Sequence, residues 1–134
     1  MKNTYAGREV NIRGIMHAFV ATVDMQDTVL RVEQALNENN LSSMPVIDSE
    51  RHDCFGIISL KDIAHFHALK KDPRTVRAWE MCSYRPLTVS PESSIHDAAR
   101  LMVDNQIHHV VVVEDKILKG IVSSLDIVAA WVAR

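Results

Sequence analysis

The chain has 134 residues, a formal net charge of −2 and a pI near 6.4. This length suffices to bury roughly two-thirds of the unfolded surface, and the lack of a basic excess argues against nucleic acid as a partner. No apolar run approaches the ~20 residues of a membrane span, and the polar N-terminus lacks the apolar core of a signal peptide. Cys54 and Cys82 form no CxxC pair, so we expect a cytoplasmic protein with ordinary thiols.

An internal repeat decides the predicted architecture. Thr22–Ile47 aligns with Thr88–Val113 at a constant offset of 66 residues. Gly56–Ile63 then aligns with Gly120–Ile127, after a loop that is two residues shorter in the second copy. We predict an N-terminal tail at 1–9, a first repeat at 10–70, a linker at 71–75 and a second repeat at 76–134. Two similar units predict two similar sites.

Each repeat is predicted to contain a strand, a helix, two strands and a second helix. Asp27 and Ser93 are the expected N-caps of the first helices, because their side chains can accept hydrogen bonds from unpaired N–H groups. Pro45 predicts a strand near an edge of the sheet or a strand start, since proline cannot donate to a sheet. The remaining predicted elements are strands at Val20–Val23, Met44–Ile47, Cys54–Ile58, Val110–Val113 and Leu118–Val122, with closing helices from about Leu60 to Leu69 and Ser124 to Ala133.

The start of each closing helix carries a capping-box pattern, Ser59-x-x-Asp62 and Ser123-x-x-Asp126. One interpretation is structural: the pair satisfies the unbonded N–H groups of a helix end. The same geometry also suits a ligand, because a helix start offers N–H donors, a hydroxyl and a positive dipole to an anion. The carboxylate could accept hydrogen bonds from two adjacent sugar hydroxyls. Phosphate plus diol describes a nucleotide, and the recurrence of the pattern favours this interpretation.

The order Thr-Val, helix, apolar strand, hairpin and Gly-h-h-Ser-x-x-Asp-Ile, where h is apolar, resembles a cystathionine-β-synthase (CBS) domain. Two such units in tandem resemble a CBS pair, or Bateman module. Leu41–Asp48, Gly14–Met16 and Trp79–Met81 are also similar to segments of that family. The resemblance covers about residues 10–131. It implies a stand-alone α/β (α+β) module whose two β-α-β-β-α repeats pack sheet to sheet about a pseudo-twofold axis.

The resemblance also implies two ligand clefts, each combining the Ser-x-x-Asp helix start of one repeat with segments of the other. The first cleft would contain Ile57, Ser59, Lys61, Asp62, Arg85, Pro86, Leu87, Ile107, His108 and His109. The second would contain Met16, Val20, Ala21, Leu41, Ser42, Ile121, Ser123, Leu125 and Asp126. In the family the aspartate holds the ribose hydroxyls, the serine helps to bind phosphate, and backbone with apolar side chains encloses the adenine.

We expect the first cleft to bind a phosphorylated ligand better than the second. Its candidate cations are Lys61, Arg85, His108 and His109, whereas Leu125 takes the position of Lys61 in the second cleft, which has no obvious cation. Each of these residues could instead be an ordinary exposed residue, which is the commoner role of a lysine or arginine. The histidines lack metal-ligand spacing, and no nucleophile–base arrangement is visible.

The sequence therefore predicts a regulatory module that binds AMP, ADP or ATP, has no required cofactor or metal, and is not an enzyme. The alternatives are a structural or protein-interaction module with empty clefts, and a binder of S-adenosylmethionine. CBS pairs commonly associate, and apolar residues of the closing helices predict a symmetric homodimer; they are Phe66, Leu69, Val128, Trp131 and Val132. A regulated protein is a further candidate partner, whereas nucleic acid and membrane are not expected.

Overall fold

The computed structural model of the chain describes residues 4–5, 8–18, 21–84 and 86–133. The chain divides into two compact units, one formed by Val20–Pro86 and the other by Met1–Phe19 together with Leu87–Arg134. The N-terminal segment therefore belongs to the unit built around the second repeat, which we call the C-terminal unit; Val20–Pro86 is the N-terminal unit. The predicted tail carries a short antiparallel pair, β1 (Thr4–Tyr5) and β2 (Arg8–Glu9).

The N-terminal unit contains a four-stranded sheet and three helices. Its elements are β3 (Val23–Asp24), α1 (Val29–Glu38), β4 (Ser43–Asp48), β5 (Asp53–Ser59), α2 (Leu60–Ala68), α3 (Ala78–Met81) and β6 (Ser83–Tyr84). The strand order is β3-β4-β5-β6, with β3 parallel to β4 and the other pairs antiparallel. Apolar side chains of α1, α2, β4 and β5 form the core of this unit, including Val32, Leu36, Met44, Ile58 and Phe66.

The C-terminal unit repeats this plan. Its elements are a 3₁₀ turn (Ile12–Gly14), β7 (Thr88–Val89), α4 (Ile95–Asn105), β8 (His109–Glu114), β9 (Ile117–Ser123) and α5 (Ser124–Val132). The sheet order is β7-β8-β9, and an antiparallel bridge from His17 to Ile121 extends it beyond β9. Its own core includes Ile12, Ile95, Met102, Val110 and Val122. The predicted α/β class and the β-α-β-β-α order of both repeats are confirmed. None of the described helices has the length and apolar character needed to cross a bilayer.

The first helix of each repeat begins one residue later than expected, so the predicted caps Asp27 and Ser93 are wrong. Thr28 and Ser94 are the N-caps, and each side chain accepts a hydrogen bond from the backbone N–H three residues further on, at 3.2 and 2.9 Å. Asp27 and Ser93 instead accept hydrogen bonds from the N–H three residues earlier, at 2.9 and 3.1 Å. These local bonds stabilise the turn that leads into the helix rather than the helix itself.

Pro45 is the third residue of β4, so it does not start the strand, but β4 lies beside the edge strand β3 and is therefore near an edge as predicted. The neighbouring strand β3 has only two residues and first pairs with β4 at Val46. No ladder donor is therefore needed from Pro45 on that side. The equivalent residue of the C-terminal unit, Val111, donates its N–H to the carbonyl of Leu87 at 3.1 Å. Pro45 has no N–H and cannot make the corresponding bond.

Candidate functional site

The Asp62 site lies where β5 passes directly into α2. Ser59 is the N-cap, and its hydroxyl accepts a hydrogen bond from the Asp62 backbone N–H at 3.2 Å. Oδ2 of Asp62 accepts hydrogen bonds from the Ser59 N–H at 2.8 Å and from the Ser59 hydroxyl at 3.0 Å. The predicted capping box is therefore present and half-buried. Among the described residues, Oδ1 of Asp62 has no hydrogen-bond partner, so this oxygen is available to a ligand.

The Asp126 site is the counterpart at the junction of β9 and α5. Ser123 is the N-cap, and its hydroxyl accepts from the Asp126 N–H at 3.1 Å. Oδ2 of Asp126 accepts from the Ser123 N–H at 2.7 Å. The second oxygen differs from that of Asp62: Oδ1 lies 2.8 Å from Nε2 of His17. Both sites therefore contain a capping box. They differ in the hydrogen bonding of the second carboxylate oxygen, because only Oδ1 of Asp126 has a partner among the described residues.

His17 is a residue of the Asp126 site that the sequence analysis did not identify. Its backbone is paired with Ile121, N–H to carbonyl in both directions, at 3.0 and 3.2 Å. This pairing directs the imidazole toward the start of α5. Gly120 permits the approach, because a Cβ at that position would lie 2.6 Å from the His17 carbonyl oxygen. The expectation that this site has no obvious cation stays a prediction, and the structure adds a histidine in contact with its aspartate.

The only signal for His17 in the sequence is its place beside a predicted site residue. It immediately follows Met16, which was a predicted site residue. In the other unit Ser83 pairs with Ile57, as His17 pairs with Ile121. The two positions are thus equivalent, and only one of them carries a titratable side chain.

The remaining predicted ligand residues divide between the units. Two backbone bonds tie their segments to the helix starts: the Ser42 carbonyl accepts from the Leu60 N–H at 2.9 Å, and the His108 carbonyl accepts from the Ser124 N–H at 2.8 Å. The N-terminal unit contains Ala21, Leu41, Ser42, Ile57, Lys61 and Pro86, and the C-terminal unit contains Met16, Leu87, Ile107, His108, His109 and Ile121. Val20 and Arg85 lie outside the described residues. The combination of these groups into two clefts stays a prediction.

The exposure of the candidate cations differs. Lys61 and His108 are exposed, and His109 is half-buried on β8. Leu125, at the position equivalent to Lys61, is 73% exposed and brings no charge. The side chains that flank the two aspartates therefore differ in charge as well as in hydrogen bonding, as the sequence predicts for Lys61 and Leu125.

Within the described ranges, no group of three or more His, Cys, Asp or Glu side chains is arranged to hold a metal ion. Burial raises the pKa of the Cys54 and Cys82 thiols to about 11. Both thiols are consequently protonated near neutral pH, and neither is an activated nucleophile.

A depression of about 880 Å³ in the N-terminal unit contains none of the predicted ligand residues. It is lined by Asp24, the hairpin turn after β4 and the first residues of β5. Asp24 accepts hydrogen bonds from the hydroxyl and N–H of Ser49 and from the N–H of Gln26, and these bonds lower the pKa of its carboxyl group. The Asp24 carboxylate therefore stabilises the hairpin turn through its hydrogen bonds to Ser49.

Two similar units, each with a capping-box aspartate at a strand-to-helix junction, define a protein built from two copies of one β-α-β-β-α domain. The family model for the CBS domain matches residues 12–68 and 78–133. These segments make up most of the chain and contain both β-α-β-β-α repeats. The protein belongs to the CBS domain family and carries two copies of the domain.

Related proteins differ in length. YlbB of Bacillus subtilis is 23% identical over 116 residues, which cover 87% of this chain and 78% of YlbB. Hypoxic response protein 1 of Mycobacterium tuberculosis is 29% identical over 117 residues, covering 86% of this chain and 80% of that protein. MJ1404 of Methanocaldococcus jannaschii is 30% identical over 134 residues, but the match covers 90% of this chain and only 32% of MJ1404. The chain thus spans most of some relatives and about a third of another.

Solved structures of CBS proteins share the fold. The crystal structure of Hypoxic Response Protein I, which has two coordinated zinc ions, matches with a TM-score of 0.79 at 26% identity, covering 90% of this chain and 98% of that chain. The CBS domain pair of protein MJ0100, in complex with 5′-methylthioadenosine and S-adenosyl-L-methionine, matches with a TM-score of 0.81 at 25% identity, covering 90% of this chain and 94% of that chain.

Proposed function

We propose that this protein is a regulatory module that binds an adenosine-containing nucleotide and is not itself an enzyme. The observation that carries the proposal is the arrangement of Asp62: one carboxylate oxygen completes the helix cap, and the other has no partner among the described residues. A carboxylate held in this way is fixed in position and still accepts hydrogen bonds from a ribose diol. The MJ0100 pair, which binds two adenosine compounds, supports an adenosine ligand.

The neighbouring groups have complementary roles in this proposal. The N-terminus of α2 supplies a positive dipole end for a phosphate. The Ser59 hydroxyl, which donates to Asp62 in the structure, would turn toward the phosphate. Lys61, in the first turn of the helix, and Arg85 supply positive charge. Apolar residues such as Ile57 and Pro86 would contact the adenine. AMP, ADP and ATP fit this set of groups best, because they present both the diol and the phosphate.

Calorimetric titration of the purified chain with AMP, ATP, adenosine and S-adenosylmethionine tests the proposal. We expect saturable binding, with the phosphorylated ligands bound more tightly than adenosine. A preference for S-adenosylmethionine over AMP would identify the other adenosine ligand as the better candidate. If none of these compounds, nor adenosine itself, bound at millimolar concentration, the alternative of a structural or protein-interaction module would replace the proposal.

Lys61→Ala is expected to weaken AMP binding by about 0.2–1 kcal/mol, the usual range for an exposed charge pair, and to leave adenosine binding unchanged. The reason is that only the phosphorylated ligand uses the cation. Titration of the variant with both ligands measures the difference. Lys71→Ala, which removes an exposed lysine from the predicted linker, is the matched control. Equal losses for AMP and adenosine would show that Lys61 does not contact phosphate.

We further propose that the protein acts as a homodimer, with α5 at the interface. Leu125, Val128, Trp131 and Val132 of this helix are between 43% and 75% exposed. Phe66 does not contribute, because it is buried in the core of the N-terminal unit, whereas Leu69 is 52% exposed. A cluster of exposed apolar side chains on one helix is typical of a surface that a partner covers.

Trp131→Glu is expected to raise the dissociation constant of the dimer by roughly tenfold or more, because it places a charge in an apolar contact. Sedimentation velocity at micromolar concentration measures the shift toward monomer. Val103→Glu, on a 73% exposed residue of α4, controls for the added charge. A wild-type chain that sediments as a monomer would remove the dimer from the proposed function and leave nucleotide binding unaffected.

A further inference from the structure

The two aspartates are unequal in one respect that bears directly on ligand binding. Both use Oδ2 for the capping box, at 2.8 Å to the Ser59 N–H and 2.7 Å to the Ser123 N–H. Oδ1 of Asp62 has no hydrogen-bond partner in the described part of the chain. Oδ1 of Asp126 is 2.8 Å from Nε2 of His17.

The direction of this hydrogen bond follows from the chemistry of the two groups. An ionised carboxylate only accepts hydrogen bonds, so in this contact the Nε2–H group of His17 is the donor and Oδ1 of Asp126 is the acceptor. The imidazole therefore provides to Oδ1 the same kind of interaction that a ribose hydroxyl would provide. Each carboxylate oxygen has two acceptor sites, and His17 occupies one of those on Oδ1. A diol whose two hydroxyls both donate to Oδ1 of Asp126 must therefore displace the imidazole.

The position of His17 makes such displacement feasible without disturbing the core. Its side chain is 67% exposed, whereas that of Asp126 is 19% exposed. The backbone of His17 stays fixed by its two hydrogen bonds to Ile121. Only the imidazole needs to rotate, so the contact can open and close while the sheet remains intact.

We propose that His17 is an intramolecular competitor for the ribose-binding oxygen of Asp126, and that it makes the Asp126 site the weaker of two adenosine sites. The inference rests on the proposed function, since it assigns different affinities to the two predicted sites. It is independent of the phosphate-binding cations, because it concerns the diol alone. The Asp62 site has Ser83 at the equivalent position of its sheet.

The test isolates the Asp126 site by removing the other aspartate. Adenosine is titrated into Asp62→Ala and into Asp62→Ala/His17→Ser, in which His17 takes the residue found at the equivalent position. We expect the second variant to bind adenosine about threefold to tenfold more tightly, the factor that corresponds to one modest hydrogen bond. 2′,3′-Dideoxyadenosine, which lacks the diol, should show no gain.

Two further variants and a denaturation curve complete the experiment. Asp62→Ala/His17→Ala should show the same gain as the serine variant, and Asp62→Ala/His96→Ser removes an exposed imidazole from α4 as the control. Unfolding midpoints of all variants establish that each is folded. Unchanged or weaker adenosine binding on loss of His17 overturns the inference, as does an equal gain for the dideoxy ligand.

The outcomes separate this inference from the proposed function. If the wild-type chain binds AMP and loses affinity with Asp62→Ala, while His17 substitutions change nothing, the proposed function stands and the competition by His17 is refuted. If neither the wild-type chain nor any variant binds an adenosine ligand, both are refuted.

Discussion

We expect Gly120→Ala to lower the free energy of unfolding by about 1–3 kcal/mol, the range found for overpacked interiors. The new Cβ would lie 2.6 Å from the His17 carbonyl oxygen and 3.2 Å from the Met16 sulfur. The sulfur can move with its side chain, but the oxygen belongs to a backbone that is hydrogen-bonded to Ile121. The bridge beside β9 must therefore shift or break. Urea denaturation followed by circular dichroism measures the loss.

Gly14→Ala is the matched control for this substitution. Its Cβ would meet nothing closer than Cγ1 of Val10 at 3.7 Å, which is an ordinary van der Waals distance. We expect the control to change the unfolding free energy by less than about 1 kcal/mol in either direction. Equal destabilisation by the two substitutions would contradict the view that contact with the His17 carbonyl makes Gly120 necessary.

Strands could be predicted from the sequence where a run of apolar residues marks them. The run Met44–Ile47 is apolar and ends in two β-branched residues, and it lies within the observed strand Ser43–Asp48. The first-helix caps were predicted one residue too early. Asp27 and Thr28 are both good cap residues, and the choice between them depends on which backbone N–H each side chain reaches. The residue types at positions 27 and 28 do not show which of the two is the N-cap.

The part of each candidate site that lies within one helix turn was also predictable. Ser59 and Asp62 are three residues apart, and so are Ser123 and Asp126, so each capping box follows from spacing within one helix turn. The contact between His17 and Asp126 joins residues 109 positions apart. It arises because the N-terminal segment pairs with β9, and a two-residue backbone pairing leaves almost no periodic pattern in the sequence. Tertiary pairing of this kind had to be seen in the structure.

Asp62→Ala is expected to weaken the binding of AMP by about 1.5–3 kcal/mol, because the ribose diol loses a charged hydrogen-bond acceptor. The substitution also removes two hydrogen bonds of the capping box. Stability should therefore fall by about 0.5–2 kcal/mol whether or not a ligand binds. Affinity and stability must consequently be measured on the same protein, by calorimetric titration and by thermal unfolding, and only the affinity reports on the ribose role.

Asp97→Ala provides the matched control, since Asp97 is the third residue of α4 just as Asp62 is the third residue of α2, and it belongs to neither predicted site. We expect this variant to bind AMP as the wild-type chain does. Asp62→Asn should keep part of the cap, because the amide oxygen still accepts hydrogen bonds, and should still lose affinity, because the charge is gone. Unchanged AMP affinity in both Asp62 variants would show that this carboxylate only caps its helix.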